Sequence, residues 1–454
     1  MAINWTNRHK FILSDFFSEL NNRKIKYFVL RNYEGLPDSN PSQDVDIVIE
    51  PGSYTLVRDL LLVVYKKYEI TNYKIVRYEK TRLIYGFNPV VKLSIHIDLM
   101  EGYLSRGFEV FSFEELFSQT LEYKNFRVLN EVFDAVTLLL YKVISAKQIK
   151  NSYKEKISQI YSEKRGEINI ILINTLGRKV GNLIINALKE SDFDLIIANV
   201  NSISKKSKQK SIFKKPVLTV VRIFNFLSEK FYRIVYCPRN YQNFISVQGA
   251  DGTGKSTFIE GLVNAIAFYN VSEESKSHVY HHRPTVLPNL GSVGEKARVM
   301  KEDTDFTNPH RAAPSGFIVS LVRMTYYWLD YLIGVPIMLR KDVQFDRFTI
   351  YDRYIYDFLI DPRRSRINLP YWVLKIFTKL VLQPRIVFVL LTDAEVIYKR
   401  KQELTINEIN RQLGEFKKLA NSHKRFVVLD ASKSPEELVN DAMKIIIEKF
   451  TQKL

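Results

Sequence analysis

Eight residues near the middle of the chain have the types and spacing of a phosphate-binding loop. Residues 249–256 read Gly-Ala-Asp-Gly-Thr-Gly-Lys-Ser, between a predicted strand, Phe244–Gln248, and a predicted helix, Thr257–Ala267. Glycines let the backbone curl so that its N–H groups point at phosphate oxygens, and the N-terminus of the following helix adds positive potential. In such a loop Lys255 reaches the β- and γ-phosphates of ATP, and Ser256 offers its hydroxyl to Mg²⁺. The predicted ATP-binding residues are Gly249, Asp251, Gly252, Thr253, Gly254, Lys255, Ser256 and Thr257.

Three later segments place basic residues after predicted strands. His-His-Arg-Pro ends at residue 284, Tyr-Asp-Arg-Tyr ends at residue 354, and a basic run surrounds Arg400. Ligands bind at the carboxyl edge of parallel sheets, and a planar guanidinium can bond a phosphate in two places. We therefore expect Arg283 and Arg353 to grip the phosphate of an acceptor, and Asp352 to orient magnesium, water or Arg353. Arg400 could close over the transferring phosphoryl group, a role that can be worth ~10³-fold or more in rate. The alternative for each arginine is a solvated surface charge.

Together these motifs resemble those of the thymidylate kinase family of nucleoside monophosphate kinases, over residues 243–454. The matching features are Asp251 inside the loop, Arg283-Pro284 (without the family's usual acid between them), Asp352-Arg353-Tyr354, Arg400 with Lys401, and Asp430-Ala431-Ser432 near the adenine. The resemblance implies a P-loop kinase with a parallel sheet flanked by helices, using ATP and Mg²⁺. From their positions in the motifs, the resemblance implies that the catalytic residues are Lys255, Asp352, Arg353 and Arg400. The residues that would bind the metal ion are Ser256 and Asp352. Those that would bind the acceptor are Asp251, Arg283 and Arg353.

The match breaks where the family reads its thymine. Residues 355–364, Ile-Tyr-Asp-Phe-Leu-Ile-Asp-Pro-Arg-Arg, replace the family's small residues and Ala-Tyr-Gln. Thymidylate is therefore expected to be a poor acceptor, and a small anionic acceptor that already carries a phosphate, either a nucleotide or a sugar phosphate, is the alternative. In this segment Asp357, Asp361, Arg363 and Arg364 either read that acceptor or form a salt-bridged surface turn.

A second constellation lies near the N-terminus. Asp44 and Asp46 fall on one face of a predicted strand because side chains alternate with period two, and Asp98 lies on a later apolar strand. Carboxylates so placed can hold magnesium beside a triphosphate. The pattern resembles that of the nucleotidyltransferase superfamily, although Leu-Arg-Asn, with Arg31, stands where that superfamily has Gly-Ser. The alternative is that Asp44 and Asp46 cap the strand and its turn while Asp98 is exposed.

The predicted elements divide the chain into three zones: residues 1–165, an α+β nucleotidyltransferase-like domain; 166–242, a helical region with a lysine-rich linker; and 243–454, the α/β kinase domain. In the first zone we predict helices Phe11–Leu20 and Val132–Val143 and strands Lys26–Asn32, Val45–Ile49 and Val91–Met100. In the third we predict strands Phe244–Gln248, His278–Tyr280, Phe348–Tyr351, Ile386–Leu391 and Phe426–Leu429. Strands that alternate with helices indicate a parallel sheet with helices on both faces.

Composition narrows the class of protein. The 454-residue chain has 46% hydrophobic residues, which is typical of a folded protein, and a single cysteine, Cys237, which rules out an internal disulfide framework and fits the cytoplasm. Its N-terminus has no secretory signal pattern. Phe317–Leu339 has the length of a membrane span, but Arg323 and Asp330 interrupt it, so a buried helix is expected.

The net charge of +18 leaves partners open. It fits polyanionic nucleotides, and also an anionic membrane surface or nucleic acid, which the lysine-rich linker and a basic, apolar helix at Val217–Val235 would contact over segment 205–235. The alternative for that helix is that its apolar face docks on the kinase domain. The main hypothesis is an ATP-dependent kinase fused to a nucleotidyltransferase-like domain. The alternatives are a nucleic-acid end-modifying or sensing protein, and a surface-polysaccharide biosynthesis factor peripheral at the inner face of the membrane. The sequence does not indicate an oligomeric state.

Overall fold

The computed structural model describes residues 5–40, 44–78, 81–235, 243–270, 277–288, 315–344 and 347–454. The chain folds into two compact units, residues 1–230 with 451–454, and residues 231–450. Cys237 lies outside the described residues.

The described elements follow in chain order. The helices are α1 (Asn7–Asn22), α2 (Tyr54–Lys67), α3 (Phe113–Phe117), α4 (Glu131–Ala146), α5 (Asn151–Glu163), α6 (Arg165–Lys189), α7 (Phe193–Ala198), α8 (Val200–Lys214), α9 (Pro216–Val235), α10 (Lys255–Asn270), α11 (Phe317–Gln344), α12 (Asp357–Ile360), α13 (Tyr371–Lys379), α14 (Ala394–Arg400), α15 (Ile406–Ala420) and α16 (Pro435–Phe450). The strands are β1 (Tyr27–Val29), β2 (Asp44–Ile49), β3 (Asn72–Tyr78), β4 (Thr81–Asn88), β5 (Leu93–Glu101), β6 (Leu104–Ser105), β7 (Phe108–Glu109), β8 (Thr120–Tyr123), β9 (Phe126–Leu129), β10 (Phe244–Gln248), β11 (His278–His281), β12 (Thr349–Asp352), β13 (Ile386–Leu391), β14 (Phe426–Asp430) and β15 (Gln452–Lys453).

The first unit is built on a mixed sheet whose order in the described residues is β15-β3-β4-β5-β2-β1-β9-β8. Strand β2 runs parallel to β5 and antiparallel to β1. Side chains on β2 alternate between two cores: Val45 and Ile47 pack with α1 and α2, and Val48 packs with α4 to α6. Because Asp44 and Asp46 have the parity of Val48, both aspartates face the side of the sheet that α4 covers.

Much of the predicted helical zone belongs to the core of the first unit. Leu172 and Ile184 of α6 and Ile203 of α8 are fully buried in the cluster that contains Val136 and Val143 of α4. The predicted lysine-rich linker is wrong, since residues 200–214 form helix α8, which buries Ile203, Ser207 and Ser211 on one face. Lys205, Lys206 and Lys214 of this helix are exposed, whereas Lys208 and Lys210 are half-buried and lie over the rings of Phe108 and Phe111.

One helix in the described part of the chain, α6, is long and apolar enough to cross a membrane, with a mean hydropathy of 1.2 over its most apolar stretch, of which 44% is buried. Gly177 has non-helical backbone angles, φ 78° and ψ 161°, and kinks α6 near its middle. Each half is therefore shorter than the roughly 20 residues that a straight membrane helix needs.

The second unit contains a parallel sheet of order β11-β12-β10-β13-β14 in its described residues, flanked by helices. The predicted parallel α/β arrangement is therefore confirmed, with strands β10 and β13 at the predicted bounds. The expected buried helix is α11, which buries a stripe through Met324, Tyr331 and Leu339. Its opposite side exposes apolar residues, with Ile318 75% exposed, so burial holds for one face of the helix only.

Candidate functional site

The glycine-rich loop, residues 249–256, joins the buried strand β10 to helix α10 at the carboxyl edge of the parallel sheet. Gly252 has a φ of +93°, in the left-handed region that favours glycine. A Cβ atom there would lie 3.1 Å from the carbonyl oxygen of Ile397 and 3.3 Å from Cβ of Lys401. Glycine is therefore required at this position both by the turn and by the close approach of α14.

Lys255 lies inside the curl of the loop. Its Nζ donates to the carbonyl oxygens of Gly249, at 2.9 Å, and Ala250, at 2.8 Å, and lies 3.5 Å from Oδ1 of Asp251. Burial, followed by the charge of Arg353, lowers the pKa of Lys255 to about 8. The neighbouring residue, Ser256, is exposed. The loop therefore presents an ammonium group from within and an accessible hydroxyl beside it.

A network of ion pairs surrounds Asp251. Arg353 pairs with Oδ1 of Asp251 through Nη2 and with Oδ2 of Asp357 through Nη1, at 2.7 Å. Arg364 contacts the other oxygen of Asp251 at 2.8 Å. Burial alone would raise the pKa of Asp251, but Arg353, Lys255 and Arg364 outweigh it and hold that pKa well below its usual range. The acid inside the loop is thus ionised and shared between two arginines.

These residues line a cleft of about 320 Å³, counted with its open mouth. Its lining combines polar residues with apolar ones: Asp251, Arg353, Asp357, Asp361, Arg364 and Gln412, together with Ile360, Leu404 and Phe416. Of the four charged residues in segment 355–364 left open between acceptor reading and a surface turn, Asp357, Asp361 and Arg364 line this cleft, whereas Arg363 is exposed and does not.

Asp352 ends strand β12 beside the loop. Its Oδ2 lies 3.2 Å from Nδ1 of His281 on the neighbouring strand. Its Oδ1 is buried and has no hydrogen-bond partner among the described residues. Asp352 also interacts electrostatically with Lys255. A buried carboxylate oxygen left unsatisfied at this edge fits a magnesium ion, or a water bound to it.

Two of the predicted basic residues lie elsewhere. Arg283 follows β11, and its Nε lies 3.2 Å from Oδ2 of the fully buried Asp330 on α11. The same carboxylate accepts backbone hydrogen bonds from Thr285, at 3.1 Å, and Leu287, at 2.8 Å. Arg283 is therefore fixed to α11 and is not among the residues that line the cleft. Arg400 is exposed at the C-terminal end of α14, next to Lys401, which contacts the loop.

The N-terminal acids meet across two parallel strands. Asp46 on β2 is directly opposite Asp98 on β5, and Asp44 is opposite His96. Carboxylate oxygens of Asp44, Asp46 and Asp98 all lie within 4.8 Å of one another. Oxygen ligands at this spacing suit a divalent cation such as Mg²⁺. The predicted clustering of the three acids therefore holds in the structure.

Cations balance this acidic cluster. Nη2 of the half-buried Arg31 lies 2.8 Å from Oδ2 of Asp46. Burial raises the pKa of Asp46 to about 6. The charge of Arg31 opposes this rise, and the charges of Asp44 and Asp98 add to it. Lys142 on α4 also interacts with Asp46, and burial followed by the charge of Arg31 lowers its pKa to about 8. The site thus combines metal-binding oxygens with two cations that can face phosphate.

Helix α9 packs on the first unit through polar groups. Arg222 forms a two-bond ion pair with Glu109, at 2.9 and 3.2 Å, and Thr219 contacts Ser211. The opposite side carries exposed apolar residues: Val217, Val220, Val221, Phe224 and Leu227. The predicted basic helix therefore exists, with its apolar side outward.

No protein-family model matches this chain, and no curated protein matches it. Sequence reasoning left Asp357 and Arg364 open between acceptor reading and a surface turn, and it missed Gln412 as a cleft residue. For Arg364 and Asp357 the departure of segment 355–364 from the kinase pattern was a usable signal. For Gln412, on α15, and for Lys142, on α4, the sequence carried none, because each resembles an ordinary helix residue.

Proposed function

We propose that the second unit is an ATP-dependent P-loop kinase of the thymidylate kinase-like type, which transfers the γ-phosphoryl group to a small acceptor that already carries a phosphate. The observation that carries the proposal is the position of Lys255 inside a glycine-rich loop whose own acid, Asp251, is held by Arg353. Phosphoryl transfer requires positioning and charge neutralisation more than covalent chemistry. A loop ammonium and an adjacent arginine supply both.

In this proposal each group has a defined task. An oxygen of the acceptor's phosphate attacks the γ-phosphorus, the bond from that phosphorus to the β–γ bridging oxygen breaks, and ADP leaves with the electron pair. Lys255 binds the β- and γ-phosphate oxygens and offsets the charge that builds on the leaving group. Arg353 orients the acceptor's phosphate. Ser256 and Asp352 would hold Mg²⁺, which supplies further charge neutralisation at the phosphates.

The experiment that tests the kinase proposal is Lys255→Ala in the full chain. We expect loss of transfer of the γ-phosphoryl group from labelled ATP, with the folded state retained, since Lys255 bonds only to loop atoms. Lys417→Ala, at an exposed position of α15, is the matched control and should leave transfer unchanged. Turnover by Lys255→Ala at the wild-type rate would show that the donor site lies elsewhere.

For the first unit we propose a nucleotidyltransferase-like fold with a metal-dependent nucleotide site. Its support is the convergence of Asp44, Asp46 and Asp98 beside Arg31 and Lys142. Calorimetric titration of the full chain with a nucleoside triphosphate, with and without Mg²⁺, tests the proposal in a Lys255→Ala background. We expect magnesium-dependent binding that Asp44→Asn removes. Binding that persists without magnesium, or in Asp44→Asn, would count against it.

We propose that the chain acts in the cytoplasm and that segment 205–235 contacts an anionic membrane surface. The supporting observation is the exposed apolar side of α9 next to the lysines of α8. Flotation with vesicles containing anionic lipid should recover the wild-type chain, and Phe224→Ser should reduce recovery. If no chain floats, and binding to nucleic acid instead falls steeply with salt, the nucleic-acid alternative is favoured.

A further inference from the structure

Two arginines converge on one carboxylate at the mouth of the glycine-rich loop. Arg353 takes one oxygen of Asp251, and Arg364 takes the other at 2.8 Å. Arg364 is presented by a tight turn, Pro362–Ser365, in which Oδ1 of Asp361 accepts a hydrogen bond from the Arg364 backbone N–H at 3.3 Å. The two guanidinium groups are thus held at the spacing of two oxygens on a single anionic group.

That spacing suits phosphate as well as carboxylate. A phosphate monoester offers three oxygens and about two negative charges, so it competes well with a single carboxylate for two guanidinium groups. Arg353 is held from behind by Asp357, whereas the side chain of Arg364 is 39% exposed and bonds to Asp251 alone among the described carboxylates. Arg364 is therefore free to reorient toward an arriving phosphate at the cost of one exposed ion pair.

Beyond the arginines the lining combines the polar residues Asp361 and Gln412 with apolar ones. Gln412, which is only 5% exposed, donates from Nε2 to Oδ2 of Asp361 at 3.2 Å. Paired carboxylate and amide groups recognise hydroxyls, because they offer acceptors and donors at adjacent positions. The aromatic residue of the lining, Phe416, is 1% exposed, so its ring face is covered and cannot stack on a nucleobase.

We propose that Arg364 is a second phosphate-binding residue of the acceptor site and that the acceptor is the phosphate monoester of a small polyhydroxylated compound, such as a sugar phosphate. Arg353 and Arg364 bind its phosphate together, and Asp361 with Gln412 contacts its hydroxyls. This inference rests on the proposed kinase function of the second unit. It gives segment 355–364, which departs from the thymidylate kinase pattern, a role in acceptor selection.

The test is calorimetric titration of the full chain after saturation with a non-hydrolysable ATP analogue and Mg²⁺. The titrants are ribose 5-phosphate and glucose 6-phosphate as sugar phosphates, thymidine 5′-monophosphate as the nucleotide, and ribose as the unphosphorylated control. We expect a sugar phosphate to bind more tightly than thymidine 5′-monophosphate, and ribose to bind too weakly to detect. In Arg364→Ala that affinity should fall by about 10-fold to 150-fold, the range for a hydrogen bond to a charged group.

Arg363→Ala removes the exposed neighbouring guanidinium and should bind the sugar phosphate as the wild type does. Arg364→Lys keeps the charge but not the paired geometry and should fall between wild type and Arg364→Ala. Three results overturn the inference while the ATP analogue still binds: equal affinity in Arg364→Ala, tighter binding of thymidine 5′-monophosphate, or no binding of either sugar phosphate. Failure of the wild-type chain to bind the ATP analogue would instead overturn the proposed kinase function on which the inference rests.

Discussion

Asp251→Asn removes the anion around which the second site is organised. In the wild type this carboxylate, 20% exposed at its side chain, faces Arg353, Arg364 and Lys255. Asparagine keeps the volume and removes the charge, which leaves three cations facing one another. Breaking a fully buried ion pair costs about 3–5 kcal/mol, whereas an exposed pair is worth about 0–1 kcal/mol. The Arg353 contact is closer to the first case and the Arg364 contact to the second, so we expect a loss of about 2–3 kcal/mol.

The assay is differential scanning calorimetry of the full chain, in which the two units provide an internal comparison. For a unit of this size each kcal/mol shifts Tm by about 2–4 °C. We expect the transition of the second unit to fall by ~5–10 °C and that of the first unit to stay in place. Asp393→Asn is the control, because Asp393 is an exposed residue before α14 whose side chain makes no capping hydrogen bond.

The pH dependence gives the same prediction an independent check. The pKa of Asp251 is lower in the folded chain than its ordinary value of about 3.9. Its stabilising contribution is therefore fully present above that value and is lost as the pH falls toward the folded-state pKa. The difference in Tm between wild type and Asp251→Asn should be constant near neutral pH and shrink below about pH 4. A variant that melts with the wild type at neutral pH, or a difference that grows in acid, would refute the reasoning.

Three further predictions concern other contacts. The pKa of Asp46 is raised to about 6, so its carboxyl group protonates as the pH falls through that value. In calorimetry, Mg²⁺ should therefore stabilise the first unit strongly at about pH 7.5 and weakly at about pH 5.5. A pH-independent effect would contradict the proposed metal site. Asp330→Ala should lower the free energy of unfolding of the second unit by about 3–5 kcal/mol in denaturant titration, since it leaves Arg283 and two backbone N–H groups without their acceptor. A loss below about 1 kcal/mol would show that these groups find other partners. Gly252→Ala should destabilise the second unit by about 1–3 kcal/mol and weaken ATP binding, because the new side chain is strained at φ +93° and approaches Ile397. The control is Gly414→Ala, in α15 with open space around it, which should have neither effect.

Much of the second unit could be predicted from sequence because its strands are short apolar runs followed directly by chemically distinctive residues. Strand β10 and the loop after it are specified locally, since five consecutive buried residues lead into glycines with few alternative conformations. The pairing of Asp44 with Asp46 on one face was equally local, because it follows from strand geometry alone. The clustering of these acids with Asp98 depends on which strands are neighbours, and it is fixed by the parallel register of β2 and β5.

Helix α8 shows where local reasoning failed. Six lysines between residues 205 and 215 suggested a linker. Residues 200–214 are nevertheless helical, and they bury Ile203, Ser207 and Ser211 within the first unit. Tertiary packing outweighs weak local preference whenever a buried stripe has a surface to meet. The short strand β15 likewise depends on a partner, β3, that lies at the other end of the chain sequence.

The sequence by itself determined the residues that can do chemistry: the glycines and lysine of the loop, the arginine after β12, and the acids of β2 and β5. Their types and spacing are local properties, and strand and loop geometry acts within a few residues. Only the tertiary structure decided which charges meet. Asp251 and Arg364 are 113 positions apart, and Arg283 pairs with Asp330 on α11 and not with the loop. Ion pairs between distant segments depend on how helices and turns pack on the sheet, and that packing is set by the whole core.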